Sequence, residues 1–169
     1  FLLGNERTLP IRELAALRAS CPPNVHIVRQ KSAWNSHLIC ARIVRTLRAA
    51  LEPHMGGYQP VLPLDTVKFH YGQTVLAACR RAGIWVILVP PRLTWLLQPK
   101  DTSAFHPFKV ALAQAYLRAR ASTADGQTSL SDFIPCICTA IRTILQGREW
   151  AGAFDGNGFG RQQAQLSSL

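Results

Sequence analysis

The sequence predicts an α/β fold, and three observations carry that prediction. A short apolar run, Val61, Leu62 and Leu64, ends in Asp65; Tyr71 to Arg81 places Val75, Leu76 and Cys79 at helical spacing; and Ile84 to Val89 is apolar at nearly every position until Pro90-Pro91 stops it. Strand, helix and strand in this order make a parallel crossover unit, with Ala82-Gly83 closing the helix. Such a unit brings the end of its first strand and the residues after its second to one edge of the sheet. Asp65 and Asp101 are therefore expected to meet at that edge.

The remaining elements follow in chain order. Ile11 to Ala19 reads as a short amphipathic helix with Leu14 and Leu17 inward, broken by Cys21-Pro22-Pro23-Asn24. Val25 to Arg29 alternates apolar and polar side chains, as a half-buried or edge strand does. Asn35 or Ser36 caps the next helix, Leu38 to Leu51, whose core stripe is expected to be Ile39, Ile43, Val44, Leu47 and Leu51. Pro53 to Pro60 is a loop that delivers the chain to the Asp65 strand. The strand after it, Ile84 to Val89, lacks polar positions and is expected to be buried on both faces, as parallel strands are. Leu93 to Gln98 is an apolar loop in which Trp95 is expected to cover the sheet edge. Pro99-Lys100-Asp101 then leads into a helix from Thr102 to Ala121. Ser122 to Ser129 is a flexible connector, and Asp132 to Gln146 carries another apolar helical stripe. Residues 1–160 are expected to form one domain and 161–169, rich in Gln and Ser, a flexible tail.

Composition bounds the function. At 169 residues, 48% hydrophobic and 17% charged, the chain is long enough for a sizeable core and too apolar for a disordered segment. It holds no run of about 18 uninterrupted apolar residues, so no membrane span is expected. A net charge of +10 favours an anionic partner, DNA or another nucleic acid first, with an acidic membrane or ribosomal RNA as alternatives. Arg42, Arg45 and Arg48 recur every third residue of one helix, so they can line a flank facing phosphates; the plainer reading is a solvated helix face. The five cysteines include no CxxC pair. They read as reduced core thiols of a nuclear, otherwise cytoplasmic, protein, and Cys136-x-Cys138 as a packed helix rather than a zinc site.

The central stretch resembles a known family. Leu62-Pro63-Leu64-Asp65 with His70 is similar to the second acidic block of DDE superfamily endonucleases of the pogo/Tigger-like transposase group. Pro90, Pro91, Thr94, Leu97, Gln98, Pro99 and Asp101 resemble the third block, PP-x-x-T-x-x-LQP-x-D, which is the specific part of the match. The 35 residues between Asp65 and Asp101 suit the spacing of those two acids. Phe105, Pro107, Phe108 and Lys109 resemble the continuation after the third block, Trp34 heads a segment similar to the family's, and Arg148 to Gly160 resembles its closing element. The resemblance implies a ribonuclease H-like fold, a mixed sheet flanked by helices. It also implies metal-dependent DNA cleavage and strand transfer, with Asp65 and Asp101 as catalytic metal ligands for Mg²⁺ or Mn²⁺. Two such ions serve the attacking and leaving oxygens of a phosphodiester, and hard cations want carboxylate oxygens.

A third acid is expected on an earlier strand. The opening residues FLLGNERTLP resemble the family's second strand and turn, so the chain reads as a fragment truncated at its N-terminus, inactive alone, with a homodimer or a partner chain completing the sheet. His70 and Lys109 join the three arginines as candidate nucleic-acid contacts. Each acid also has a plainer use: Asp65 can satisfy the turn after its strand, and Asp101 can cap a helix. The alternative function is a domesticated or degraded domain that binds nucleic acid, or serves as a structural subunit, without cleaving.

Overall fold

The computed structural model of the chain describes residues 1–123 and 126–160. The expected flexible tail, residues 161–169, lies outside the described residues, as do positions 124 and 125 of the connector. The fold is α/β. Contacts gather the chain into two compact units, one built from residues 1–33 with the described residues from 99 onward, the other from residues 34–98.

In the first unit, β1 (Leu2–Asn5) pairs in parallel with β2 (Ile27–Gln30) across α1 (Ile11–Ser20), with Leu2 opposite Ile27 and Asn5 opposite Gln30. α1 buries Leu14 and Leu17 as its spacing requires, and the chain leaves it at Cys21. Leu9, which is fully buried, joins these two with Ile27, Ile134 and Cys138 in one apolar cluster. Arg18 ties α1 to β2 by donating to the Ile27 carbonyl at 2.9 Å.

The same unit takes in the C-terminal helices. A π-helical turn, Lys100–Ala104, runs into α5 (Phe105–Ala121), so the helical path begins slightly earlier than Thr102. α6 (Leu130–Ile144) starts two residues before the expected Asp132, because Ser129 and Asp132 form a capping box that satisfies the first turn's N–H groups. α5 and α6 pack together, with Tyr116 edge-on to Phe133 at 5.7 Å between ring centroids. α7 (Ala151–Gly156) follows.

In the second unit, α2 (His37–Leu51) is capped by Ser36, whose hydroxyl accepts from the Ile39 N–H. Its buried face differs from the expected stripe: Cys40, Ala41 and Val44 are buried, while Ile39, Ile43, Leu47 and Leu51 lie at the margin. The small side chains let α2 close on α3 (Gln73–Arg81), which presents Val75, Ala78 and Cys79. A 3₁₀ turn, Glu52–His54, leads through the loop to β3 (Val61–Asp65). β3 pairs in parallel with β4 (Trp85–Val89), Val61 opposite Trp85 and Asp65 opposite Val89, so the crossover unit has the expected order and direction.

Two expectations in this unit are corrected. β4 is not buried on both faces: Trp85 is 67% exposed, Ile87 45% and Leu88 43%. The cluster formed by α2 and α3 takes up Ile84, Val86 and Leu62; Trp85 and Ile87 stand on the alternate face in solvent, and Leu88, on the face of Ile84 and Val86, is outside that cluster. The stretch after Pro91 is likewise not a loop that folds over an edge. It contains the single-turn helix α4 (Thr94–Leu97), and Trp95 is 67% exposed. The strands thus pair two by two among the described residues, each pair parallel and within its own unit, where the resemblance implies one mixed sheet.

Candidate functional site

Asp65 is the last residue of β3, level with Val89, the last of β4. Paired along its whole length with β4, β3 delivers Asp65 at the end of the ladder. The turn that follows brings His70 back onto it, with the His70 N–H bonded to the Val67 carbonyl at 2.8 Å. His70 Nδ1 and Asp65 Oδ1 are in contact, and both side chains remain partly open to solvent, at 19% and 27%. The Phe69 ring stands edge-on to the imidazole at 4.4 Å between centroids. The arrangement is a carboxylate oriented by an imidazole at a strand end, able to offer an oxygen to a hard cation.

The floor of this end of the unit is apolar. Cys40 on α2 is raised above the ordinary thiol range, chiefly by burial and further by the negative charge of Asp65, while the Asn35 amide that donates to its sulfur at 3.3 Å works the other way. Burial alone raises Cys79. Both thiols are therefore neutral, and of the two only Cys40 feels the charge of Asp65. An open depression of about 400 Å³ against Val61, Leu76, Arg80, Trp85 and Ile87 belongs to the opposite, N-terminal end of the strand pair.

Asp101 lies in the first unit, half-buried in the π-helical turn ahead of α5. It does not take the N-cap position of its plainer reading: the turn starts at Lys100, so the cap position falls to Pro99, which has no side-chain donor or acceptor. Asp65 and Asp101 thus belong to different units, each with its own local surroundings. Among the described residues, no group of three or more His, Cys, Asp or Glu side chains gathers as metal ligands do.

Lys109 is exposed on α5, and its Nζ stands 5.8 Å from the centroid of the Phe105 ring. Lys100 Nζ stands over the same ring at 5.4 Å. Two ammonium groups gathered by one exposed aromatic side chain suit a phosphodiester backbone, with the ring free to stack or pack. Lys100 and Phe105 carry no such role in the sequence reading. The π-helical turn pairs positions five apart, and Lys100 and Phe105 have that spacing; an α-helical reading does not bring them together.

Arg42 and Arg45 are exposed on one flank of α2, and Arg48, half-buried, is ion-paired with Glu52 one turn on. That pairing takes one of the three cations partly out of use for phosphates. All five cysteines are buried thiols, with Cys136 and Cys138 inside α6. Among the described residues, no helix is long and apolar enough to cross a membrane. Compared with protein-family models, with curated proteins and with solved structures, the chain matches none.

Proposed function

We propose that the chain is a ribonuclease H-like domain of DDE transposase descent, handling DNA with Asp65 and Asp101 as carboxylate ligands for Mg²⁺ or Mn²⁺. The observation that carries this reading is Asp65, delivered by β3 level with the end of β4 and oriented by His70. Its donor chemistry fits the ion. A carboxylate oxygen at a solvent-reachable strand end is the kind of ligand a hard divalent cation takes. The LQP-x-D block supplies the second acid at the spacing the family's chemistry uses. Bound there, the ion supplies charge stabilisation to a phosphodiester and acidity to an attacking water.

The chain's own residues have definite tasks in this reading. His70 holds the Asp65 carboxylate in place through its Nδ1 contact with Oδ1. Lys100 and Lys109 neutralise backbone phosphates beside Asp101, with Phe105 gathering the two ammonium groups. Arg42 and Arg45 extend the cationic surface of the second unit. A nuclear setting, otherwise a cytoplasmic one, goes with this reading. The second reading, a domain that binds nucleic acid without cleaving it, draws on the same cations and the +10 net charge, and needs neither acid.

Titration calorimetry with Mn²⁺ separates the two. Saturable binding by the chain that disappears in the Asp65→Ala, Asp101→Ala double variant is the expected result. Equal heats from both proteins would overturn the metal-site reading and favour the binding module.

A further inference from the structure

We infer that Cys21 and Cys138 form a dithiol that closes to a disulfide under oxidation, joining the end of α1 to α6. Cys21 is the residue at which the chain leaves α1, and Cys138 sits mid-way along α6, 117 positions later in sequence. Their sulfurs are 3.0 Å apart, within roughly 1 Å of a covalent S–S bond at about 2.05 Å. Both belong to one apolar cluster with Leu14, Leu17 and Ile134, so the cluster's packing keeps the pair together. The elements they sit on already touch: α1 packs on α6, and Arg142 of α6 donates to the Ser20 carbonyl, next to Cys21, at 3.1 Å.

The other three thiols have different surroundings. Cys40 and Cys79 lie in the core cluster of the second unit, while Cys136, two residues from Cys138, turns its sulfur to the Asp132 carbonyl of its own helix at 3.3 Å. Pairing is therefore specific to Cys21 and Cys138.

The oxidant is a low-molecular-weight disulfide such as oxidised glutathione. One protein thiol attacks it, releasing a first small thiol and leaving a mixed disulfide; the second protein thiol then attacks that mixed disulfide, forming the S–S bond and releasing the other small thiol. Two thiols are oxidised, the two electrons and both protons pass to the two departing thiols, and no other co-reactant is required. Cys21, at 9% exposed, is the entry point, and Cys138, at 2%, is the resolving thiol. Burial, together with Cys21 alongside, pushes Cys138 up to about 12. Closure is thus slow at neutral pH and faster as pH rises. In a reducing compartment the pair stays open.

The test incubates the folded 169-residue chain with oxidised glutathione, quenches with an alkylating reagent and maps peptides without reduction. The expected product has lost two of its five thiols and contains one peptide pair joined through Cys21 and Cys138, with Cys40, Cys79 and Cys136 alkylated. The Cys136→Ser variant forms the same product, and Cys138→Ser stops at a mixed disulfide. Retention of all five thiols, or a bond through Cys136, would overturn the inference. Mapping the unaltered chain decides the matter even where the Cys138 variant folds poorly.

Discussion

The two strand pairs have the same direction and similar length, and each first strand ends in a short polar residue, yet those residues do different work. Asn5 closes β1 and turns back on its own chain: its side-chain oxygen accepts from the Arg7 N–H at 2.8 Å, and its carbonyl accepts from Leu9 at 2.9 Å. That turn drops Leu9 into the core. Asp65 closes β3 and meets an imidazole five residues on, at the protein surface. The first strand end serves the fold, and the second is the one proposed to hold a ligand. A polar residue at the end of a parallel strand is therefore not evidence of a site until its partner is known.

The comparison can be pressed hardest at Leu9. Leu9→Ala leaves a cavity under the Asn5 turn, with an expected loss of about 2–5 kcal/mol in chemical denaturation. Manganese binding at the other strand pair, in contrast, is expected to survive wherever the variant remains folded.

Alkali probes both cores next. A buried thiol stays protonated in the folded chain above the ordinary value of 9.0, while the unfolded chain ionises there, so the unfolded state binds fewer protons and stability falls with rising pH. The stability is fully present below about 9 and is lost progressively from there towards about 12, the range set by Cys138 under the first pair. Cys40 and Cys79 under the second pair act in the same direction. Unfolding midpoints measured from pH 8 upward should fall less steeply in Cys138→Ser than in the unaltered chain.

The smallest effects separate the two strand ends most cleanly. Asn5→Ala removes a turn bond and should cost about 1 kcal/mol. Asp65→Asn should cost no more than about 1 kcal/mol, the worth of its His70 contact, and abolish manganese binding. A large stability loss on Asp65→Asn, with binding intact, would make Asp65 a second Asn5.

Much of this was legible from residues. The bounds of β3, the inward Leu14 and Leu17 of α1 and a cap at Asn35 or Ser36 follow from periodicity and capping chemistry, which act locally, and the structure selects Ser36. What was not legible depends on neighbours. The apolar run of β4 signals a strand but not how many faces are covered, and Trp85 and Ile87 are exposed because the helices of their unit cover the alternate face. On α2, side-chain bulk pointed to Ile39 and Leu51, whereas close packing against α3 selected Cys40 and Ala41. At the site, Asp65 and its His70 partner were both visible in the sequence. The Lys100–Phe105 contact was hidden by a change of helical period, whereas Phe105 and Lys109 have ordinary helical spacing.

The central claim is that the C-terminal end of β3 is a cation site and that of β1 is not. Paramagnetic broadening of backbone amide signals by sub-stoichiometric Mn²⁺ tests it within one sample, because Asn5 and Gln30 serve as the internal control for Asp65, Val89 and His70. Selective loss of the signals of Asp65, Val89 and His70, with those of Asn5 and Gln30 retained, is the predicted result. Equal broadening at both strand ends, or none at Asp65, would contradict it.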